Sequence, residues 1–122
     1  MSKHVMTAVR IDLDGRAEVI DLAAATSTGA ALRSAIGCRW FDVVRLGPDL
    51  DMWVDDEGAT LADAQVNVTA TTIARAHGAI WQPFYGVAVF AAHDGDGATV
   101  GLSEDVKDAL LTRAFYRPTV IR

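Results

Sequence analysis

Val5, Thr7, Val9, Ile11 and Leu13 alternate with Met6, Ala8, Arg10 and Asp12, a repeat of two that predicts a half-buried β-strand. Asp14-Gly15 supplies a tight turn, and residues 17–22 return as a second strand. Two registers suit this hairpin: one sets Arg10 opposite Glu18, the other stacks Ile11 on Val19. The pattern then changes period. Thr26-Ser27-Thr28 offers N-caps to a short helix in which Leu32, Ala35 and Ile36 share one face, and Gly37 stands where a left-handed residue ends it. Trp40 to Leu46 and Leu50 to Asp55 read as two strands joined by Gly47-Pro48-Asp49, where proline fixes φ.

Asn67 is placed to cap a second helix carrying Ala70, Ile73, Ala74 and His77 on one face, with Gly78 ending it. Its threonines and Val68 weaken its intrinsic helix propensity. Phe84 to Ala91 is an almost continuous apolar run, the signature of a strand buried on both faces and central in its sheet. Ser103 caps a last helix with Glu104 and Asp105 at its positive dipole end and Val106, Leu110 and Ala114 facing inward. Pro118 keeps that helix from running much past Tyr116. The expected order is ββαββαβα: an α+β domain spanning residues 1–122, mainly antiparallel, with helices on one face of the sheet.

Composition narrows the function more than it names one. A chain of 122 residues with a net charge of −5 and scattered Lys and Arg lacks the clustered cations that binding a phosphate backbone requires. No direct nucleic-acid contact is expected. One cysteine, Cys38, excludes an internal disulfide and a multi-thiolate zinc site, and its expected role is a buried, inert thiol. The N-terminus has no apolar signal-peptide core, and the uncharged run from Gly78 to Ala92 is 15 residues interrupted by Gln82, Pro83 and Gly86, too short to span a bilayer. The expectation is a soluble cytoplasmic protein without a membrane contact, a monomer or small homo-oligomer.

Chemical motifs fade on inspection. Asp94 and Asp96 match the first two ligands of a calcium loop, but Ala98, Thr99 and Asp105 stand where a ligand, a glycine and a bidentate glutamate belong. A surface turn is the better reading. His4, His77 and His93 lie on a strand start, a helix end and a loop, without metal-ligand spacing, and His77 suits the negative end of its helix dipole. Neither Cys38 nor Ser103 sits in a nucleophile motif. Glycines occur singly or in Asp-Gly turns, so no phosphate-cradling loop is present. No catalytic residue, metal or cofactor is assigned.

One stretch, Asp51-Met52-Trp53-Val54-Asp55-Asp56-Glu57-Gly58, sets a tryptophan among carboxylates. Closing the hairpin around Gly47-Pro48-Asp49 puts Leu46 opposite Leu50, Arg45 opposite Asp51, Val44 opposite Met52 and Val43 opposite Trp53. Val44, Leu46, Leu50, Met52 and Val54 then form the core face; Val43, Arg45, Asp51, Trp53 and Asp55 form the other. In the plainer account Arg45 pairs with Asp51 and the indole covers Val43 or tucks under a loop. Tryptophan and arginine together also compose a recognition surface, which marks Arg45, Asp51, Trp53, Asp55, Asp56 and Glu57 as candidates. On that face Trp53→Ala is expected to cost under about 1.5 kcal/mol.

Four blocks, Val43 to Gly58 (VVRLGPDLDMWVDDEG), Asn67 with Ala70, Gly86 to Phe90 (GVAVF) and Gly101 to Val106 (GLSEDV), together resemble a family of small bacterial, plasmid and phage proteins, domain of unknown function 3846. Val68 departs from the proline that many relatives carry after the asparagine. The resemblance brings no catalytic residue. It implies a mobile-element or accessory setting and, through the company such families keep, a host-factor or anti-defence role. Nine arginines against two lysines suggest a GC-rich, actinobacterial host or phage. Three expectations follow, in this order: a non-enzymatic interaction protein holding a host or other protein partner; a domain in which Trp53, Trp81 and Tyr85 stack a small ligand or nucleotide; and an acid–base or metal-dependent hydrolase built on Asp55, Asp56 and Glu57.

Overall fold

The structure, a computed structural model, describes residues 5–61, 63–80 and 82–115. Strands β1 (Thr7–Ile11) and β2 (Ala17–Asp21) precede helix α1 (Thr28–Ile36), then β3 (Phe41–Gly47) and β4 (Leu50–Asp55). A 3₁₀ turn (Gly58–Thr60), α2 (Val68–Ala76), β5 (Ala88–His93), a short β6 (Thr99–Val100) and α3 (Glu104–Phe115) follow. The sheet runs β2-β1-β5-β4-β3, with β6 also paired to β5 and every pairing antiparallel. The α+β class holds, and the order departs from ββαββαβα only by adding β6.

The hairpin registers follow from the pattern. Arg10 lies opposite Glu18, so Val9 and not Ile11 meets Val19. In the second hairpin Arg45 faces Asp51, Val44 faces Met52 and Val43 faces Trp53, while a bulge sets Gly47 rather than Leu46 opposite Leu50. The bulge absorbs one residue next to the turn and leaves Leu46 and Leu50 both on the core face.

Strand β5 is central, and its first five residues are buried. It begins at Ala88 rather than Phe84, because residues 84–86 pair elsewhere. Phe84 O accepts the Asn67 amide at 2.8 Å, and Gly86, at φ +80°, donates to Gln65 O at 3.0 Å. That short tie draws the segment before α2 against the entry to β5.

Burial on both faces of β5 demands cover on both, and the placement of all helices on one face is therefore corrected. Val9, Ile11, Met52, Val54 and Phe90 pack with Ala70, Ile73 and Ala74 of α2 and Leu110 and Ala114 of α3. On the opposite face Ala8, Val89 and Ala91 pack with Ala31, Leu32 and Ile36 of α1. Helix α1 is capped as expected, with Ser27 Oγ accepting from Ala30 and Gly37 at φ +78° donating to Arg33 O. Arg10 Nε also donates to Ala35 O at 2.8 Å, a cation against the negative end of α1 that ties the helix to β1. Ser103 Oγ accepts from Val106 at the start of α3. The expected stop of α3 near Tyr116 and Pro118 lies outside the described residues.

Asn67 joins the layers. It is 1% exposed; its Oδ1 accepts from Ala70 at 3.0 Å while its Nδ2 donates to Ile11 O at 3.0 Å and Gly86 O at 2.8 Å. One amide thus caps α2 and satisfies carbonyls of β1 and of the approach to β5. Aspartate rivals asparagine as an N-cap but has no donor for the carbonyls. Asn67→Asp is therefore expected to destabilise by about 3 kcal/mol or more, no better than Asn67→Ala, in equilibrium urea unfolding. Parity of Asn67→Asp with the parent would show that capping alone matters.

Candidate functional site

Residues of one parity on β3, β4 and β5 face α1, and they bring Arg45, Asp51, Trp53 and His93 to the same side of the sheet. Asp51 is 1% exposed. Its Oδ1 lies 3.0 Å from His93 Nδ1 and 3.3 Å from Arg45 Nε. A carboxylate enclosed between strands thus meets two donors from the neighbouring strands, which offset its desolvation. The His93 side chain is 10% exposed and that of Arg45 54%. Asp51 fixes the His93 ring through Nδ1, leaving Nε2 without a hydrogen bond among the described residues.

His93 is the residue that sequence reasoning missed. It ends β5 rather than sitting in a loop, and its partner is 42 positions away, beyond the reach of any local spacing rule. Strand parity held the signal: placing β5 beside β4 with Ala91 opposite Asp51 brings His93 to the same face.

Trp53 points away from Met52 and Val54, as the alternation requires. Yet the face it occupies is itself a core, and this corrects its place on an open surface. The indole packs with Phe41, ring centroids 5.3 Å apart and edge-on at 82°, and belongs with the residues against α1. The Arg33 guanidinium lies 5.7 Å from the centre of the Phe41 ring, continuing the contact onto the helix. Trp53 Nε1 is buried without a hydrogen-bond partner among the described residues. Of the six candidate surface residues, Asp51 is thus enclosed, Trp53 and Asp55 are half-buried, and Arg45, Asp56 and Glu57 are exposed.

The acidic turn is held by local geometry. Asp55 Oδ1 accepts the Glu57 amide at 2.9 Å, and the Asp56 amide donates to Trp40 O at 2.9 Å. Gly58 is buried, and a Cβ there would sit a tight 3.2 Å from Tyr85 O. Beside this turn, Asp42, Asp55 and Asp56 line a cavity of about 140 Å³ with Val44, Phe84 and Tyr85. Trp53 and Tyr85 do not converge, since the cavity opens on the face opposite α1, and Trp81 lies outside the described residues. Asp94 spends its carboxylate on the amides of Asp96 and Ala98 in the β5–β6 turn. Among the described residues no group of three or more His, Cys, Asp or Glu side chains is placed to hold a metal ion. Burial, and then Asp55, push the Cys38 thiol above its ordinary pKa against the pull of Arg33, so the reactive thiolate is disfavoured. His77 Nδ1 lies 2.9 Å from Ile73 O at the end of α2.

The fold and these side chains define a small antiparallel α+β protein with a polar cluster enclosed on one face of its sheet. The chain belongs to the family Domain of unknown function (DUF3846), whose model matches residues 6–115. No curated protein and no solved structure matches it. Among the described residues no helix is long and apolar enough to cross a membrane.

Because Asp51 is enclosed and Arg45 is not, the two ends of their ion pair should respond unequally. Asp51→Ala is expected to cost about 3 kcal/mol by urea unfolding, against under about 1 kcal/mol for Arg45→Ala. For the indole, packed edge-on against Phe41, the structure raises the expectation: Trp53→Ala should cost about 3 kcal/mol. Trp53→Phe, which removes the unpartnered N–H while keeping an aromatic ring against Phe41, should cost under about 1 kcal/mol.

Proposed function

We propose that this is a small non-enzymatic interaction protein that works in the cytoplasm by holding a protein partner. The observation that supports the reading is the outer side of β3. This strand is seven residues long and stands at the end of the sheet, with no strand beyond it among the described residues. Trp40, 56% exposed, immediately precedes it, and Arg45 lies along it. An unpaired edge flanked by an exposed tryptophan and an arginine combines main-chain hydrogen-bonding capacity with the side chains that most often anchor interfaces. The interaction surface inferred from Trp53 thus shifts to the neighbouring edge, keeping Arg45 and the Asp56-Glu57 turn and releasing Asp51 and Trp53. The resemblance to small bacterial, plasmid and phage proteins favours a mobile-element setting and a host-factor or anti-defence target, and the excess of arginine over lysine favours an actinobacterial host or phage.

A second reading has its own support. A groove of about 540 Å³ between the β3–β4 turn and α3, lined by Leu46, Leu50, Val106, Leu110, His77 and Arg113, has the size and apolar character of a small-ligand site. Such a ligand would raise the melting temperature in a metabolite panel.

The test is comparative capture from host lysate with the parent, Trp40→Glu and Val43→Pro. The Val43 amide meets the side chain of its own neighbour, Asp42 Oδ1, at 2.8 Å; an added strand would take over that donor, which proline, tolerated on edge strands, removes. With melting temperatures matched to the parent, both variants are expected to lose a stoichiometric partner. Equal capture by all three proteins would place the interaction elsewhere and overturn the assignment to β3.

A further inference from the structure

Resting on that reading, we infer that the edge of β3 takes an extended partner segment whose cationic side chain enters the cavity beneath Asp42. Alternation along β3 directs Asp42 and Val44 to the face opposite α1, and both line the cavity of about 140 Å³. The edge therefore forms one wall of the cavity. A strand added along β3 would place its own side chains on that face beside Asp42 and Val44, where every second residue projects the same way.

The chemistry of the walls selects the side chain. Asp42, Asp55 and Asp56 contribute to the lining, and among the described residues no Lys, Arg or His does. Phe84, Tyr85 and Val44 supply apolar surface on the other sides. Carboxylates at the mouth with aromatic and aliphatic walls suit a long side chain with an apolar stem and a cationic head. Aspartate or glutamate at the same place would meet like charge. The net charge of −5 adds a general attraction for a basic segment.

Rigidity supports the same assignment. The Asp55 carboxylate accepts the Glu57 amide and the Asp56 backbone amide donates to Trp40 O, while Gly58 lets the turn lie against Tyr85, where a Cβ would make a tight contact. The Asp55 carboxylate and the backbone that carries Asp56 are therefore fixed before the partner arrives, which lowers the ordering cost of binding.

The probes are N-acetylated, C-amidated heptapeptides of alternating Thr and Val with Arg, norleucine or Glu at the centre. They are titrated into the ¹⁵N-labelled full chain while amide shifts are followed. The expected result is saturable shifts in β3 and around Asp55 and Asp56 with the Arg peptide, and at least tenfold weaker binding of the norleucine and Glu peptides. In the Asp42→Asn/Asp56→Asn double variant the Arg peptide should weaken about tenfold and the norleucine peptide hardly at all. Equal binding of Arg and norleucine peptides, or shifts confined to β2, would overturn the inference. So would a concentration-dependent dimer with shifts in β3 that no peptide competes away, since a second copy would then be the occupant. If no peptide binds while lysate capture still fails with Trp40→Glu and Val43→Pro, this inference falls and the reading of β3 as an interaction edge stands. If those variants capture the partner as the parent does, that reading falls as well.

Discussion

Everything in this fold answers to the burial of β5 on both of its faces. A central strand in which Val89 and Ala91 look one way and Ala88 and Phe90 the other, all at 0% exposure, cannot leave either side of the sheet to water. Helices α2 and α3 cover one side and α1 the other. The small residues of β5 matter here: Ala88, Ala91 and Ala92 let the covering layers approach the sheet closely, while Phe90 fills the middle of the larger core. Once α1 is required, the face of β4 that carries Trp53 ceases to be a surface. The charge on Asp51 must then be met inside the protein, by Arg45 and His93.

This explains which parts of the structure were legible in the chain and which were not. Alternation located the strands and assigned each residue of β4 to its face, because the period of two is imposed by the backbone itself. Caps were equally readable: Ser27, Asn67 and Ser103 are local signals acting on amides three residues away. What alternation does not say is whether the second face is wet. The apolar run of β5 carried that information, since a strand buried on both faces implies two covering layers, but the charges beside Trp53 pointed the other way. Arg45 looked solvent-facing by composition and is, whereas Asp51 beside it is enclosed and bonded to a histidine 42 positions away.

Asn67 illustrates the same division. Its capping role follows from position and residue type, but its two donated bonds reach Ile11 O and Gly86 O, 56 and 19 positions distant. Those bonds make the asparagine an unusual cap, one whose amide nitrogen does as much as its oxygen. They also fix α2 relative to β1 and to the approach of β5, so the loop from Asp56 to Asn67 is held at both ends. At one end the Asp56 amide binds Trp40 O, and at the other the Asn67 amide binds Phe84 O.

The stretch from Asp51 to Gly58 therefore divides into parts with different physics. Asp51 belongs to the interior, a buried charge with two partners, and Trp53 packs half-buried against it, an aromatic whose buried N–H has no partner among the described residues. Met52 and Val54 belong to the opposite core. Asp55, Asp56 and Glu57 form a turn whose backbone is satisfied locally and whose carboxylates lie next to an unpaired edge strand. An orphaned indole N–H costs stability without serving the fold, and the packing described here gives no physical reason for preferring tryptophan to phenylalanine at position 53. The acidic turn differs in this respect. Gly58 lies close to Tyr85, where an added Cβ would sit a tight 3.2 Å from Tyr85 O, and that closeness brings the turn and the 82–85 segment together as walls of one cavity. The constraint on Gly58 and the shape of the cavity are two consequences of the same contact.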